Sequence, residues 1–316
     1  MRALVVRSGQ PMALEDVPLP QRDGECLIRV KMAGICGTDL QILQGYAEFS
    51  GIPGHEFVGV VESAPAKDAH WIGKRVVGEI NIGCGACEWC AAGVKEHCID
   101  RAVVGIRHHE GAFAEFLTLP AVNLHAVPDA VDDEAAVFVE PVAAACRIFE
   151  QMEVARSSQI AIVGDGRMGL LVAQVVRTAT QNVTVFGRHN SKLAVARTLG
   201  LATANTTDRE SRRFDIVIDV TGRPEGLTRA LELVRPRGTV VMKSTFHGEA
   251  PLASWPIVVD EVTLVGSRCG PFAPALELLA SRAIHVKPLI SRIAPLEDHE
   301  SAFAEARHAL KILLAP

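Results

Sequence analysis

Apolar and polar positions follow two regimes along the chain. Before Asp132, apolar residues come in short β-type runs: Ala3 to Val6, Glu25 to Met32 and Phe57 to Glu62. Gly and Pro punctuate them, as in Gly51-Ile52-Pro53-Gly54, and only Thr38 to Gln44 offers a helical stretch. This pattern predicts a compact, mostly β domain. After Asp132 the period changes. Ala135 to Glu150 is Ala-rich and helical, interrupted by Pro141. Buried strands then alternate with helices. The strands are Gln159–Val163, Asn182–Phe186, Phe214–Val220, Gly238–Met242 and Val262–Val265; the helices are Gly169–Thr178, Ser191–Leu199 and Glu225–Val234. Continuous Val/Ile runs separated by helices predict a parallel sheet covered on both faces. The tail from Pro271 predicts one helix, an extended piece near Val286 to Ile290, and a last helix reaching Leu314.

Composition narrows the class. The 316 residues suffice for two domains, and 48% hydrophobic with 22% charged residues is a globular balance. A net charge of -5 provides no basic field for nucleic acid. No apolar run approaches the roughly 18 residues of a membrane span, and Met1 to Gln10 does not read as a secretory signal. The expected location is the cytoplasm. The eight cysteines are then not a disulfide frame.

Four of them, Cys84, Cys87, Cys90 and Cys98, are clustered. Two-residue gaps let a tight turn aim successive thiolates at one point, and a fourth closes the shell. Zinc takes that arrangement, and four sulfurs leave no open position for chemistry, so the centre is structural. An iron–sulfur cluster also uses four cysteines, and spacing does not separate the two. Cys26, Cys146 and Cys269 read as small buried apolar residues.

Gly164-Asp165-Gly166-Arg167-Met168-Gly169 follows the strand ending at Val163 and opens a helix. In that context it reads as a dinucleotide fingerprint, with the pyrophosphate at the helix N-terminus. At the end of the next strand, Gly187 stands where an acid usually accepts from the ribose 2′-hydroxyl. Arg188 and His189 follow, with Lys192 nearby. Loss of the acid and gain of an arginine predict a preference for NADP; in the other reading Arg188 only stacks on adenine and either cofactor binds.

Cys36-Gly37-Thr38-Asp39, Gly54-His55-Glu56 and Glu140-Pro141 complete the chemistry. Cys36, His55 and Glu140 offer one sulfur, one nitrogen and one oxygen ligand, an open zinc set with a fourth position free.

Together these motifs resemble the medium-chain dehydrogenase/reductase superfamily, the zinc-dependent alcohol dehydrogenases, and within it the polyol, sugar and threonine dehydrogenase branches. The resemblance spans the whole length, including Gly111-Ala112-Phe113-Ala114-Glu115 and the tail Ser301-Ala302-Phe303 to Lys311-Ile312-Leu313-Leu314. It implies an α/β protein with a GroES-like, β-rich catalytic domain over residues 1–141, completed by 268–316, and a Rossmann doubly wound parallel sheet over 142–267. It implies two zinc ions per subunit, NADP or NAD, and a homodimer or homotetramer. Cys36, His55 and Glu140 would be the catalytic zinc ligands, with Glu56 beside the metal and able to replace water on it. Thr38 would pass on the substrate proton, and Asp39 would orient a ligand. The implied reaction moves a hydride between a small polar alcohol and the nicotinamide. Thr221, Ser244 and Ser267, at strand ends, are candidates to line the nicotinamide pocket. His108 and His109, in a loop, could reach substrate, but the surface reading is favoured. The chain departs from the pattern at Gln41, where relatives carry a relay histidine, and at Asp165 and Arg167, where they carry small neutral residues. A reductase needing no metal, and a non-catalytic NADP-binding redox sensor or structural relative, would each be expected to have lost ligands.

Overall fold

The computed structural model describes residues 1–7, 10–208, 213–245, 252 and 254–316. Two compact units are present: Met1–Glu140 with Ile290–Pro316, and Pro141–Leu289. Residues 268–289, assigned from the sequence to the first domain, group with the second unit.

A seven-stranded sheet organises the first unit, in the order Leu124–Ala126, Arg75–Gly78, Glu56–Ser63, Glu25–Gly34, Lys311–Ala315, Ile290–Pro295; Phe116–Pro120 also pairs with Glu25–Gly34. Cys26, Ile28 and Val30 of Glu25–Gly34 are buried and alternate with more exposed neighbours, as the period-two pattern requires.

The tail differs from expectation. Its last helix is His299–Ala306, and Lys311–Ala315 is a strand lying parallel to Ile290–Pro295 and antiparallel to Glu25–Gly34. A central strand buried on both faces reads as an unbroken apolar run, which periodicity cannot tell from a buried helix. The extended piece starts at Ile290, after a short 3-10 turn at Lys287–Leu289. Pro141 does not interrupt its helix either: it lies in the first turn of Val139–Gln151, where its missing N–H costs nothing.

The second unit is a six-stranded, all-parallel sheet. Its order is Ala202–Asn205, Val183–Gly187, Ile160–Val163, Phe214–Asp219, Val234–Met242, Thr263–Gly266. This is the doubly wound order, which reverses beside Ile160–Val163 and places ligands at the carboxyl ends of the strands there. The edge strand Ala202–Asn205 and the helix Ser254–Val259 had no sequence signal: the strand is half-exposed and lacks the Val/Ile run of its neighbours. Among the described residues no helix is long and apolar enough to cross a membrane.

Candidate active site and metal centres

The Cys36 trio is gathered by backbone geometry. Cys36 caps the helix Gly37–Ile42, and its N–H donates to Asp39 Oδ2 at 2.7 Å. His55 and Glu56 sit at the start of Glu56–Ser63, whose register sets Glu56 opposite Gly34. Cys36, His55 and Glu56 each offer a ligand atom, and these atoms lie within 4.8 Å of one another. His55 is 3% and Glu56 1% exposed, so the cluster is largely withdrawn from water. Glu140 is not among them: it is half-buried in the first turn of Val139–Gln151. Glu56, expected beside the metal, is the carboxylate that lies with the thiol and the imidazole.

The electrostatics of this cluster call for a cation. Burial pushes the His55 pKa down, but Asp39 and Cys36 outweigh it and leave it well above the ordinary value. His55 Nδ1 and Asp39 Oδ1 are 3.3 Å apart, within ion-pair reach, yet neither makes an aligned hydrogen bond. The contact is thus electrostatic. One carboxylate oxygen of Asp39 is spent on the Cys36 N–H, and the other orients the ring. A sulfur, a nitrogen and an oxygen converging in a buried pocket fit zinc. Thr38 Oγ1 lies 4.0 Å from Cys36 Sγ, at the edge of the cluster.

One participant escaped the sequence reading. Lys311 is 1% exposed, and its Nζ donates to Glu56 Oε2 and, at 3.2 Å, to the carbonyl of Ile35. Burial lowers its pKa to about 8, against the opposing pull of Cys36 and Asp39. Gly34 makes the room: a Cβ there would stand 2.6 Å from Lys311 Cε and 2.8 Å from Glu56 Oε2. The signal available was a lone lysine opening an apolar run, which reads equally as the end of a buried helix.

Cys84, Cys87, Cys90 and Cys98 also converge within 4.8 Å, close to the S···S edge of about 3.8 Å that a zinc tetrahedron requires. Cys87 caps the short helix Glu88–Ala91, and the Cys84 N–H points at Cys98 Sγ, 3.4 Å away. N–H groups of Ala86 and Cys87, with the neighbouring thiols, bring Cys84 down to about 7. Cys90 rises to about 11: the Gly85 N–H lowers it, but desolvation and the other three sulfurs prevail. Four sulfurs this close cannot all ionise without a cation, and a bound metal removes that conflict. All eight cysteines are free of disulfides.

The glycine turn suits a pyrophosphate. Gly164 adopts φ +130°, and a Cβ on Gly169 would stand 2.0 Å from the Gly164 carbonyl oxygen. A Cβ on Gly166, the N-cap of Arg167–Arg177, would meet nothing within 4 Å. That open face, at the N-terminal turn of the helix, is room for phosphate. At the neighbouring strand end, Arg188 and His189 are exposed and Lys192 is half-buried. Thr221 Oγ1 donates to Asp219 at 2.8 Å, and Ser244 Oγ accepts the Gly222 N–H at 2.8 Å. Ser267 is 8% exposed and accepts from Lys243 Nζ at 3.0 Å, so it braces the strand ends. His109 departs from the surface reading: it is 3% exposed, with Nε2 3.2 Å from Glu25 Oε2.

Two family models match the chain: the alcohol dehydrogenase GroES-like domain over residues 22–129, and the zinc-binding dehydrogenase over residues 168–281. L-threonine 3-dehydrogenase of Streptomyces avermitilis is 33% identical to it over 97% of this chain and 96% of its own length. The chain belongs to the zinc-binding dehydrogenases. Among solved structures, a zinc-binding dehydrogenase from Sinorhizobium meliloti bound to NADP superposes with a TM-score of 0.91 at 28% identity, covering 100% of this chain and 99% of the other. An alcohol dehydrogenase from Escherichia coli CFT073 complexed with NADH gives a TM-score of 0.91 at 25% identity, with coverage of 100% and 99%. This zinc-binding dehydrogenase is accordingly an NAD(P)-linked oxidoreductase acting on a small-molecule alcohol or carbonyl, with zinc as its metal. The catalytic reading holds over that of a non-catalytic cofactor-binding relative.

Proposed function

We propose that this dehydrogenase oxidises a polyol, a sugar or another small polar secondary alcohol with NADP, at a zinc site held by Cys36, His55 and a glutamate. The observation that carries this is the buried convergence of Cys36, His55 and Glu56 within 4.8 Å. Glu56 and Glu140 are the two carboxylates that can complete the set, and Glu56 already faces the other ligands. Bound there, zinc supplies a Lewis acid that makes an alcohol proton easier to remove. The protein handles that proton. Thr38 Oγ1 accepts it from the substrate hydroxyl and passes its own proton outward. Gln41 cannot titrate, so the outer path runs through water. Asp39 holds the His55 ring, and Lys311 neutralises Glu56 so that the carboxylate stays close to the ligands. Cys84, Cys87, Cys90 and Cys98 hold a second, structural zinc.

The parallel-sheet unit holds the dinucleotide, with its pyrophosphate at Gly164, Gly166 and Gly169. Thr221, Ser244 and Ser267 frame the nicotinamide end, and Arg188 with Lys192 takes a 2′-phosphate, which supports NADP over NAD. One tyrosine and 5% aromatic residues support a small polar substrate, in keeping with the threonine named for the Streptomyces relative. The net charge of -5 supports no nucleic-acid partner. The edge strand Thr263–Gly266 and the exposed Trp255, Val258 and Val259 support a homodimer or homotetramer, and the reading places the protein in the cytoplasm. The test is NADPH formation with a panel of polyols, sugars and primary alcohols, before and after chelation. Turnover of at least one polyol or sugar, lost on chelation and restored by zinc, is expected. Turnover indifferent to chelation would sink the mechanism.

A further inference from the structure

Asp165, the second residue of the glycine turn, is 7% exposed. Its Oδ2 accepts the backbone N–H of Arg188 and of His189, each at 2.7 Å, and its Oδ1 faces His189 Nδ1 at 3.0 Å. A carboxylate only accepts, so Nδ1 carries the proton. The acid thus reaches from one strand end to the next and ties down the backbone that follows Val183–Gly187. It occupies the very space a side chain at 187 would need. A Cβ on Gly187 would stand 2.6 Å from Asp165 Cβ, 2.6 Å from Asp165 Oδ2 and 2.6 Å from Leu193 Cδ2. An acid at 187 and an acid at 165 therefore exclude one another, and the glycine at 187 is the complement of Asp165.

The three donors also settle what Asp165 can do for a cofactor. Its oxygens are filled by protein, little of it reaches solvent, and it has scant capacity left for ribose hydroxyls. Within the turn it clamps, the Arg188 guanidinium bonds to no described residue and is exposed. We propose that Asp165 is the positioning residue for cofactor choice, clamping the Arg188–His189 turn so that Arg188 is held ready for the 2′-phosphate of NADP, and that Asp165 and Gly187 form one exchangeable specificity pair. This rests on the NADP reading above. A clamped backbone spares the ordering cost a loose arginine turn would incur on binding.

The experiment measures dissociation constants of NADPH and NADH by fluorescence, with 2′,5′-ADP and 5′-AMP as fragments, for wild type and four variants whose folding is checked by thermal unfolding. In wild type, NADPH and 2′,5′-ADP bind the tighter. Asp165→Ala lowers the NADPH/NADH preference by about tenfold through loss of NADPH affinity, whereas Asp165→Asn, whose oxygen still accepts both N–H groups, stays within about threefold of wild type. Gly187→Asp alone weakens both cofactors, since its side chain has no room. Adding Asp165→Gly to Gly187→Asp restores NADH binding without restoring NADPH. A preference that survives Asp165→Ala, or rises because Asp165 was accepting from the ribose, overturns the proposal while the NADP reading stands. A wild type that prefers NADH overturns the NADP reading and the clamp for Arg188 together, and Gly187→Asp that binds NADH well without change at 165 overturns the exclusion between the two positions.

Discussion

Four thiols from one short segment, Cys84 to Cys98, make one candidate metal site, while a thiol, an imidazole and a carboxylate from a helix cap and a strand start make the other. The first lies near the surface, with Cys84 exposed and only Cys98 buried. Its geometry is local: a tight turn and a short helix suffice. The second is buried, and its members meet only because the strand Glu56–Ser63 pairs with Glu25–Gly34, which runs into the Cys36 cap. Its counter-charge arrives from the far end of the chain, through Lys311. A closed set of four sulfurs can hold a lobe together but performs no chemistry. An open mixed set can react, but it needs the whole sheet to exist. The difference predicts separable losses.

Replacing His55 by Ala should lower kcat/KM at least about 10³-fold, because the transition-state charge loses its metal. Metal analysis should still find one zinc per chain, and far-UV circular dichroism should be unchanged. A variant that loses both metals would erase the distinction between the clusters. Cys98→Ser should do the reverse, costing about 5 kcal/mol in urea unfolding as the lobe loses its metal, with kcat/KM of the folded fraction kept within about tenfold. Activity lost in parallel with the lobe's zinc would show that the two centres are not independent.

Lys311→Met sharpens the dependence of the buried set on the tail strand. It leaves the Glu56 carboxylate buried without its partner and should cost about 3 kcal/mol by urea unfolding, more than Lys311→Arg. An equal loss in both variants would mean that packing, not charge, is what Lys311 contributes. The smallest effect concerns the anchor of the cysteine lobe. Glu79 lies 2.7 Å from Lys95, which sits between the lobe's last two cysteines, and 2.7 Å from His125. Burial raises its carboxyl, but His125 and Lys95 overcome that and hold it below its ordinary 4.5. The group binds fewer protons folded than unfolded, so its stabilisation is present above pH 4.5 and is lost as pH falls through the lower folded value. Glu79→Gln should therefore cost about 1 kcal/mol at pH 6, and the gap to wild type should close below pH 4.5 in urea titrations. A gap that does not narrow as pH falls below 4.5 would assign the effect to packing.

The legible parts of the molecule were those whose partners are close in sequence. The glycine turn between Val163 and Arg167 declared itself because strand, turn and helix are contiguous, and the alternation after Asp132 declared the parallel sheet for the same reason. The edge strand Ala202–Asn205 was missed because a half-exposed edge needs no Val/Ile run. Lys311–Ala315 was misread because a strand covered on both faces carries no period.

The sequence by itself determined the family, the doubly wound sheet and the closed cysteine set, since each depends on residue types at short, fixed spacings. Only the tertiary structure decided that Glu56 meets Cys36 and His55, that Lys311 is their buried counter-charge, and that Asp165 fills the space beside Gly187. Those pairings join residues by sheet register and by contact between neighbouring strand ends. Neither leaves a mark along the chain, because what selects them is the cost of a buried charge without a partner, which is set in three dimensions.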